Sequence, residues 1–356
     1  MTPCAAVALL LLPPLPQSAA LDSDERVQLY PTAAALAADG RSWRVPVHFC
    51  VYEPEEGDPL RAAALAPLRG MLSVEEGSAE AALFAARARL FLVDHERRKH
   101  VDVAVGELRF RLGPTAADGR FEGVIEVPAA LAAELAVEGR LPLSIANLGR
   151  QAPARGAACL VPPEGLSVIS DLDDTIKVTG VGDKRAALEN TFLREFEAVA
   201  GMAELYRRLA ERGAAFHYVS LSPWQLAAPL EEFLARERFP GGSLHLQPFR
   251  VQDGDFGDLV GDSREKKLAA IGPLLRKWPM RRFVLIGDSS QVDPEVYAEI
   301  ARRHPGRVAS IWIRDVAAAA GEGSEAQRFA RAVEGLEGCD RQLFTDPGRV
   351  ETAAAR

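Results

Sequence analysis

The chain reads as an α/β protein, with a doubly wound parallel sheet in its carboxyl-terminal half and a β-rich, sandwich-like region with inserted helices before it. Three observations predict this. After Pro162-Pro163-Glu164-Gly165, short apolar runs alternate with amphipathic helical segments, as in a parallel sheet covered by helices. Before that point, strand-like runs dominate. The apolar run Leu166–Ser170 then ends in acids, Asp171-Leu172-Asp173-Asp174. Buried strands seldom end in clustered acids, and like charges held together repel unless a cation offsets them. An Asp-rich turn is the plainer alternative.

At 356 residues and 48% hydrophobic content, the chain is long enough for two cored domains. We expect divisions at 1–21, 22–162 and 163–356. The net charge of −8 gives no overall attraction to nucleic acid or anionic lipid, so an anionic ligand needs a metal, a lysine or backbone amides. Only six lysines stand among 42 basic residues, which makes each lysine more informative than usual. Cys4, Cys50, Cys159 and Cys339 are far apart, and the histidines lack ligand spacing, so neither a zinc site nor a disulfide framework is expected. Residues Ala5–Ala20 are apolar and uncharged but too short to cross a bilayer. Ser18-Ala19-Ala20 suits a cleavage site, although no basic residue precedes the run. Export is the favoured expectation, an unstructured extension on a cytoplasmic protein the competing one. No transmembrane anchor is expected elsewhere.

Taken in order, Trp43–Tyr52 is β-rich and is broken by Glu56-Gly57-Asp58. Arg61–Leu72 and Ala79–Leu90 have helical spacing. Asp94-His95-Glu96 reads as a solvated turn. Val101–Leu112 and Phe121–Val127 suggest a hairpin around Gly113-Pro114 and Asp118-Gly119. Leu141–Ala146 and Ala157–Val161 add two strands. In the second half, strands are expected at Leu166–Ser170, Ala215–Ser220, Leu244–Pro248, Phe283–Gly287 and Val308–Ile313. Helices are expected at Met202–Arg212, Leu226–Arg236, Lys266–Lys277 and Pro294–Arg303.

Three later segments carry polar residues suited to a phosphate and a metal. Ser220 ends a strand, where a hydroxyl beside free helix amides can hold phosphate oxygens, though a capping serine is commoner. Lys267 opens an amphipathic helix with Leu268, Ile271, Leu274 and Leu275 on its apolar face; a lysine there is disfavoured by the helix dipole. Phe283-Val284-Leu285-Ile286-Gly287-Asp288 is a second strand ending in acid, followed by Asp293. Gly287 permits close backbone approach, and Asp288 and Asp293 can reach a hard cation directly or through water.

D-x-D-x-T, then Ser, then Lys, then G-D-x-x-x-x-D resembles the haloacid dehalogenase superfamily of phosphohydrolases. Val168–Lys177, Phe216–Trp224 and Leu285–Tyr297 narrow this to a resemblance to the actin-patch type of phosphatidate phosphatase catalytic domain. Ser23–Val27, Tyr30-Pro31-Thr32 and Ala157–Pro163 also resemble the amino-terminal half of bacterial members. Leu172 stands where the familiar motif has Ile. The sequence shows none of the family's long eukaryotic tails, so a cytoskeletal role is not an expectation here.

The resemblance implies a haloacid dehalogenase-like fold and a Mg²⁺-dependent phosphatidate phosphatase yielding diacylglycerol and phosphate. It implies Asp171 as nucleophile, forming an aspartyl-phosphate, and Asp173 as general acid and then base. It further implies Mg²⁺ on Asp171, the Asp173 backbone carbonyl, Asp288 and Asp293, phosphate on Ser220 and Lys267, and a supporting Thr175. Asp174 is expected to cap, and Lys266 is the rival of Lys267. Only 49 positions separate Asp171 from Ser220 and 47 separate Ser220 from Lys267, which leaves little room for a large cap. An uncapped site suits a phospholipid at a membrane or micelle surface, or a phosphoprotein. Trp224 reads as core, with contact to acyl chains or a membrane as the alternative. Another phosphomonoester substrate, or an inactive lipid- or protein-binding module, are the competing functions; nucleic acid is not an expected partner.

Overall fold

The computed structural model describes residues 21–54, 65–75, 77–148, 154–249, 264–319, 321 and 324–352. The apolar run 5–20 and the first residues of the expected helix 61–72 lie outside them; the helix there is Ala66–Met71.

The second half forms a six-stranded sheet, parallel throughout. Its order is Gly242–Gln247, Ala215–Pro223, Glu164–Ser170, Met280–Asp288, Val308–Arg314, Asp340–Phe344. The first strand of this sheet in chain order, Glu164–Ser170, therefore pairs on one side with the sheet's second and on the other with its fourth. The strand order reverses between Glu164–Ser170 and Met280–Asp288, and the carboxyl ends of two such strands diverge into a crevice. Asp171 and Asp288 stand at those two ends. Both faces of the sheet are covered, which explains the near-continuous apolar runs. Val168, Phe216, Tyr218, Val284, Ile286 and Trp312 belong to one core, and Ile169, Val219, Phe283, Leu285, Ile311 and Ile313 to the other. The sixth strand was not expected: Asp340-Arg341-Gln342-Leu343-Phe344 is an edge with little apolar signal.

Residues 26–161 build a nine-stranded mixed sheet around the long strand Ser42–Glu53, which pairs with Arg26–Tyr30, Thr32–Leu36, Asp94–His95 and Arg120–Pro128. Strict alternation divides that strand's labour. Val45, Val47, Phe49 and Val51 fill the sheet's own core, whereas Cys50 belongs to the core under the parallel sheet. The outer face of this sheet is thus packed against the second half of the chain.

Two expectations for this region are corrected. The hairpin joins Val101–Val105 to Leu108–Leu112, because Gly106, at φ 56°, closes a two-residue turn before the Gly113-Pro114 loop is reached. Arg120–Pro128 instead pairs antiparallel with Ser42–Glu53, setting Ile125 opposite Val45 and Phe121 opposite Phe49. Asp94-His95 is a short strand on the same partner. The helix Ala79–Arg89 forms as expected, with Ser78 accepting from the Ala81 amide as its cap. It packs on Lys184–Phe192, a helix of the second half, through Phe84 and Phe192 at 6.2 Å between rings.

Candidate active site

Asp171 follows the last residue of its strand, its amide bonded to the Ile286 carbonyl of the neighbouring strand at 2.9 Å. Its carboxylate is buried and held from two sides. Lys267 Nζ lies 3.2 Å from Oδ1, and the Thr175 hydroxyl lies 3.2 Å from Oδ2 and 3.4 Å from Asp288 Oδ2. Lys267 reaches the site from the first turn of helix Arg264–Lys277 and is 1% exposed, whereas Lys266 is exposed. Of the two lysines, Lys267 is the one that lies against the carboxylates.

Asp293 opens helix Asp293–Arg303, where the dipole favours an anion. Its Oδ1 pairs with Lys267 Nζ at 2.5 Å, and its Oδ2 accepts the Asp288 amide at 3.3 Å. Gly287 makes room for it: a Cβ there would stand 2.2 Å from Asp293 Oδ2. Asp288 accepts from the Ser290 amide at 2.7 Å and from the Ser290 hydroxyl.

Asp171, Asp288 and Asp293 bring carboxylate oxygens within 4.8 Å of one another. Burial pushes Asp171 well above the usual carboxylate range; Lys267 opposes the shift and Asp293, Asp288 and Asp173 add to it. Burial, then Asp293, raises Asp288 to about 7 against Lys267. Lys267, despite the burial that disfavours its charge, is kept firmly protonated by Asp171, Asp293 and Asp288. Three buried carboxylates facing one ammonium leave surplus negative charge. A compact all-oxygen donor set of this kind fits a hard divalent cation.

The Asp173 carboxylate is held apart from that group. Its Oδ1 meets Lys177 Nζ at 2.9 Å and the Thr179 hydroxyl at 2.9 Å. Its Oδ2 accepts from Ser220 at 2.8 Å and Ser222 at 3.0 Å. Burial raises its pKa, but the Lys177 charge and the bonds from Lys177, Ser220 and Thr179 win, bringing it to about 2. The Ser220 hydroxyl is thus engaged with Asp173 and also accepts the Ser222 amide at 2.9 Å. No helix start lies directly behind Ser220, because the strand runs on to Pro223 before a turn at Trp224–Leu226. Lys177, Thr179 and Ser222 are site residues that sequence reasoning missed. The only available signal was a lysine, scarce here, closely following D-x-D-x-T.

Asp174 caps, as expected. Its carboxylate accepts the amides of Thr179 at 2.9 Å, Gly180 at 2.7 Å and Val181 at 2.7 Å, and Arg314 donates to its carbonyl at 2.7 Å. Trp224 is core: 9% exposed, it stands 4.6 Å from the Tyr30 ring and 4.4 Å from His48, wedged between the two sheets. Its packing is thus that of a core residue, the first of the two expectations.

Residues 166–315 match the family model described as the catalytic domain of phosphatidate phosphatase APP1. This segment belongs to the APP1 catalytic-domain family. Phosphatidate phosphatase APP1 of Saccharomyces cerevisiae is 34% identical over 158 residues, covering 43% of this chain and 26% of the yeast protein. An uncharacterised Schizosaccharomyces pombe protein is 34% identical over 156 residues, 43% of this chain and 25% of its own length. The chain thus spans about a quarter of the length of the curated relatives it matches. A solved D,D-heptose 1,7-bisphosphate phosphatase from B. bronchiseptica, complexed with magnesium and phosphate, aligns over 51% of this chain and 93% of its own. Its identity is 16% and its TM-score 0.22, a likeness too slight to add to the sheet topology. All four motifs singled out above fall within the matched segment of the APP1 family. Among the described residues, no helix is long and apolar enough to cross a membrane.

Proposed function

We propose that this chain is a Mg²⁺-dependent phosphatidate phosphatase, with a haloacid dehalogenase-like catalytic domain from about residue 163 and a β-rich domain before it. The observation that carries the reading is the separation of two carboxylates two residues apart. Asp171 sits in the carboxylate group with Lys267, while Asp173 is held by four other donors. One is thereby suited to attack and the other to proton transfer. The family of residues 166–315 and the relatedness to yeast APP1 favour phosphatidate among phosphomonoesters.

In this reading an Asp171 carboxylate oxygen attacks phosphorus. The phosphorus–oxygen bond to glycerol breaks, its electron pair stays on that oxygen, and Asp173 supplies the proton that makes diacylglycerol. Water then attacks the aspartyl-phosphate and gives its proton to Asp173, releasing phosphate and restoring both groups. The ionised Asp173 that Lys177 and the three hydroxyl donors favour is the form needed for the second half. For the first half it must carry a proton, and an arriving phosphate dianion raises its affinity for one. Lys267 pairs with Asp171 and Asp293 and carries the positive charge that phosphoryl oxygens need; Ser220 offers a hydroxyl at the same strand end. Asp171, Asp288 and the Asp173 backbone carbonyl would hold Mg²⁺, with Asp293 supporting. When bound, the cation offsets the carboxylates and the charge developing on the phosphoryl oxygens.

The test is phosphate release from phosphatidate in detergent micelles by the chain from Leu21 onward, with Mg²⁺ or chelator, beside Asp171→Asn and a panel of soluble phosphomonoesters. Release that prefers phosphatidate, needs Mg²⁺ and vanishes in Asp171→Asn supports the reading. Activity on soluble esters alone keeps the mechanism and removes the lipid. Silence of folded protein on every ester removes the enzyme.

A further inference from the structure

We propose that Lys177 is a positioning residue for the acid–base carboxylate of Asp173, clamping it against Ser220 and Ser222 in the place from which it serves the leaving group. The inference rests on the phosphatase reading above.

A loop lysine is ordinarily solvated, because burying its ammonium is costly unless a partner compensates. Lys177 is 2% exposed. Its Nζ meets Asp173 Oδ1 at 2.9 Å, the Thr179 hydroxyl at 2.6 Å and the face of Phe196 at 4.7 Å from the ring centroid. The other buried lysine of the site, Lys267, pairs with Asp171 and Asp293. Two ammonium groups thus serve two separate sets of carboxylates.

The backbone is built to return Lys177 to Asp173. Asp174 adopts φ 55°, a left-handed conformation uncommon outside glycine and tolerated best by Asp and Asn. The Asp174 amide then bonds the Lys177 carbonyl at 2.7 Å, and the Lys177 amide bonds the Leu172 carbonyl at 2.9 Å. Residues 173 and 177 form a bridge across this closed turn. Beyond it, the Asp174 carboxylate gathers the amides of residues 179–181, and Asn190 donates to the Thr179 carbonyl at 2.8 Å.

Two elements therefore grip one carboxylate. The turn holds Oδ1 through Lys177 and Thr179, and the neighbouring strand holds Oδ2 through Ser220 and Ser222. With only one oxygen held, the group can rotate about its side-chain bonds. Proton delivery to an alkoxide needs the carboxyl within hydrogen-bond reach of the ester oxygen. An aryl oxide that leaves without a proton does not need it.

Steady-state kinetics on the full chain with Mg²⁺ decide this, comparing phosphatidate in micelles with 4-nitrophenyl phosphate. Lys177→Met should lower kcat/KM on phosphatidate by about 30-fold or more, a part of the roughly 100- to 10,000-fold that acid–base catalysis contributes, while kcat/KM on 4-nitrophenyl phosphate, which reads only the steps up to the aspartyl-phosphate, is nearly spared. Asp173→Asn should show the same leaving-group pattern, and Lys177→Arg should recover part of the loss. Should Lys177→Met fail to fold by circular dichroism, Ser222→Ala removes one of the two donors to the other oxygen and leaves Lys177 in place, and it should show a weaker version of the pattern. Equal losses of kcat/KM on both esters would mean a purely structural lysine and overturn the proposal. A raised KM at constant kcat would make Lys177 a phosphate ligand and overturn it too. A parent chain inactive on both esters would remove the phosphatase reading itself, an outcome distinct from an active parent with an unaffected variant.

Discussion

The Arg87 guanidinium lies over the Phe196 ring, 3.9 Å from its centroid, and the Lys177 ammonium lies 4.7 Å from the same centroid. One aromatic face system therefore connects the helix Ala79–Arg89 of the amino-terminal half to the lysine that holds Asp173. Arg87 is 4% exposed and donates to the carbonyls of Thr191 and Arg194, the latter at 2.6 Å. It satisfies the Thr191 carbonyl, which the end of helix Lys184–Phe192 would otherwise leave orphaned, and the Arg194 carbonyl just beyond it.

Arg87→Met keeps the aliphatic stem and removes those donors. Leaving buried carbonyls unpaired costs about 1–3 kcal/mol each, so the variant should lose roughly 2–4 kcal/mol. A lower urea midpoint with unchanged slope checks this. An unaltered midpoint would mean that water satisfies the carbonyls equally well.

Gly287→Ala tests the packing beneath the site. The added Cβ would meet Asp293 Oδ2 at 2.2 Å, Cγ at 2.7 Å and Cβ at 2.8 Å, so the whole side chain must move. Asp293 is 0% exposed and bonded to Lys267, and any movement disturbs the Lys267–Asp171 pair. Phosphatase kcat should fall at least about 100-fold, since small misplacements of reacting groups are that costly. Kinetics on 4-nitrophenyl phosphate would read it.

The parallel sheet was legible because Leu166–Ser170 and Phe283–Gly287 are apolar runs that end in acids, so strand and chemistry coincide in a few residues. Asp171 and Asp288 follow from that, and Lys267 from its place at the start of an amphipathic helix. Lys177, Thr179 and Ser222 were not legible, since they converge on Asp173 only through a left-handed turn at Asp174 and a strand extended to Pro223. Arg87 ran against the general solvation of arginine. Phe121–Val127 reads from sequence as pairing with its nearest strand-like neighbour, whereas the partner of the strand Arg120–Pro128 is Ser42–Glu53, remote in sequence and selected by Val45, Phe49, Ile125 and Phe121 meeting across the pair. The edge strand Asp340–Phe344 gains its place from its neighbour Val308–Arg314, not from its own hydrophobicity.

Glu231 gives the fold a pH dependence away from the site. Burial, reinforced by Glu232 and opposed by Arg140, raises its carboxyl from 4.5 to about 7. Between those values the folded state binds more protons than the unfolded state, so stability falls as pH rises through the window. Glu231→Gln should flatten that fall and be more stable than the parent at pH 8, by about 1–3 kcal/mol once partial exposure is allowed for. Urea midpoints across the pH range measure it; parallel curves for the two chains would contradict the assigned burial.

The carboxylate group itself predicts opposite effects of one substitution in two solutions. In chelator, Asp288 is a buried acid beside Asp293 and Asp171 with one shared ammonium, Lys267. Asp288→Asn removes a repelling charge and keeps an oxygen that can accept from Ser290, so the variant should melt above the parent in chelator at pH 8. Mg²⁺ should reverse the order. A ligand present at 100 times its dissociation constant stabilises the folded state by about 2.7 kcal/mol. The parent should gain on that scale and Asp288→Asn far less, because it lacks one of the anionic oxygens that a hard cation requires. Thermal unfolding of both chains with Mg²⁺ and with chelator measures all four values. A parent insensitive to Mg²⁺ would mean that Lys267 alone balances the three carboxylates.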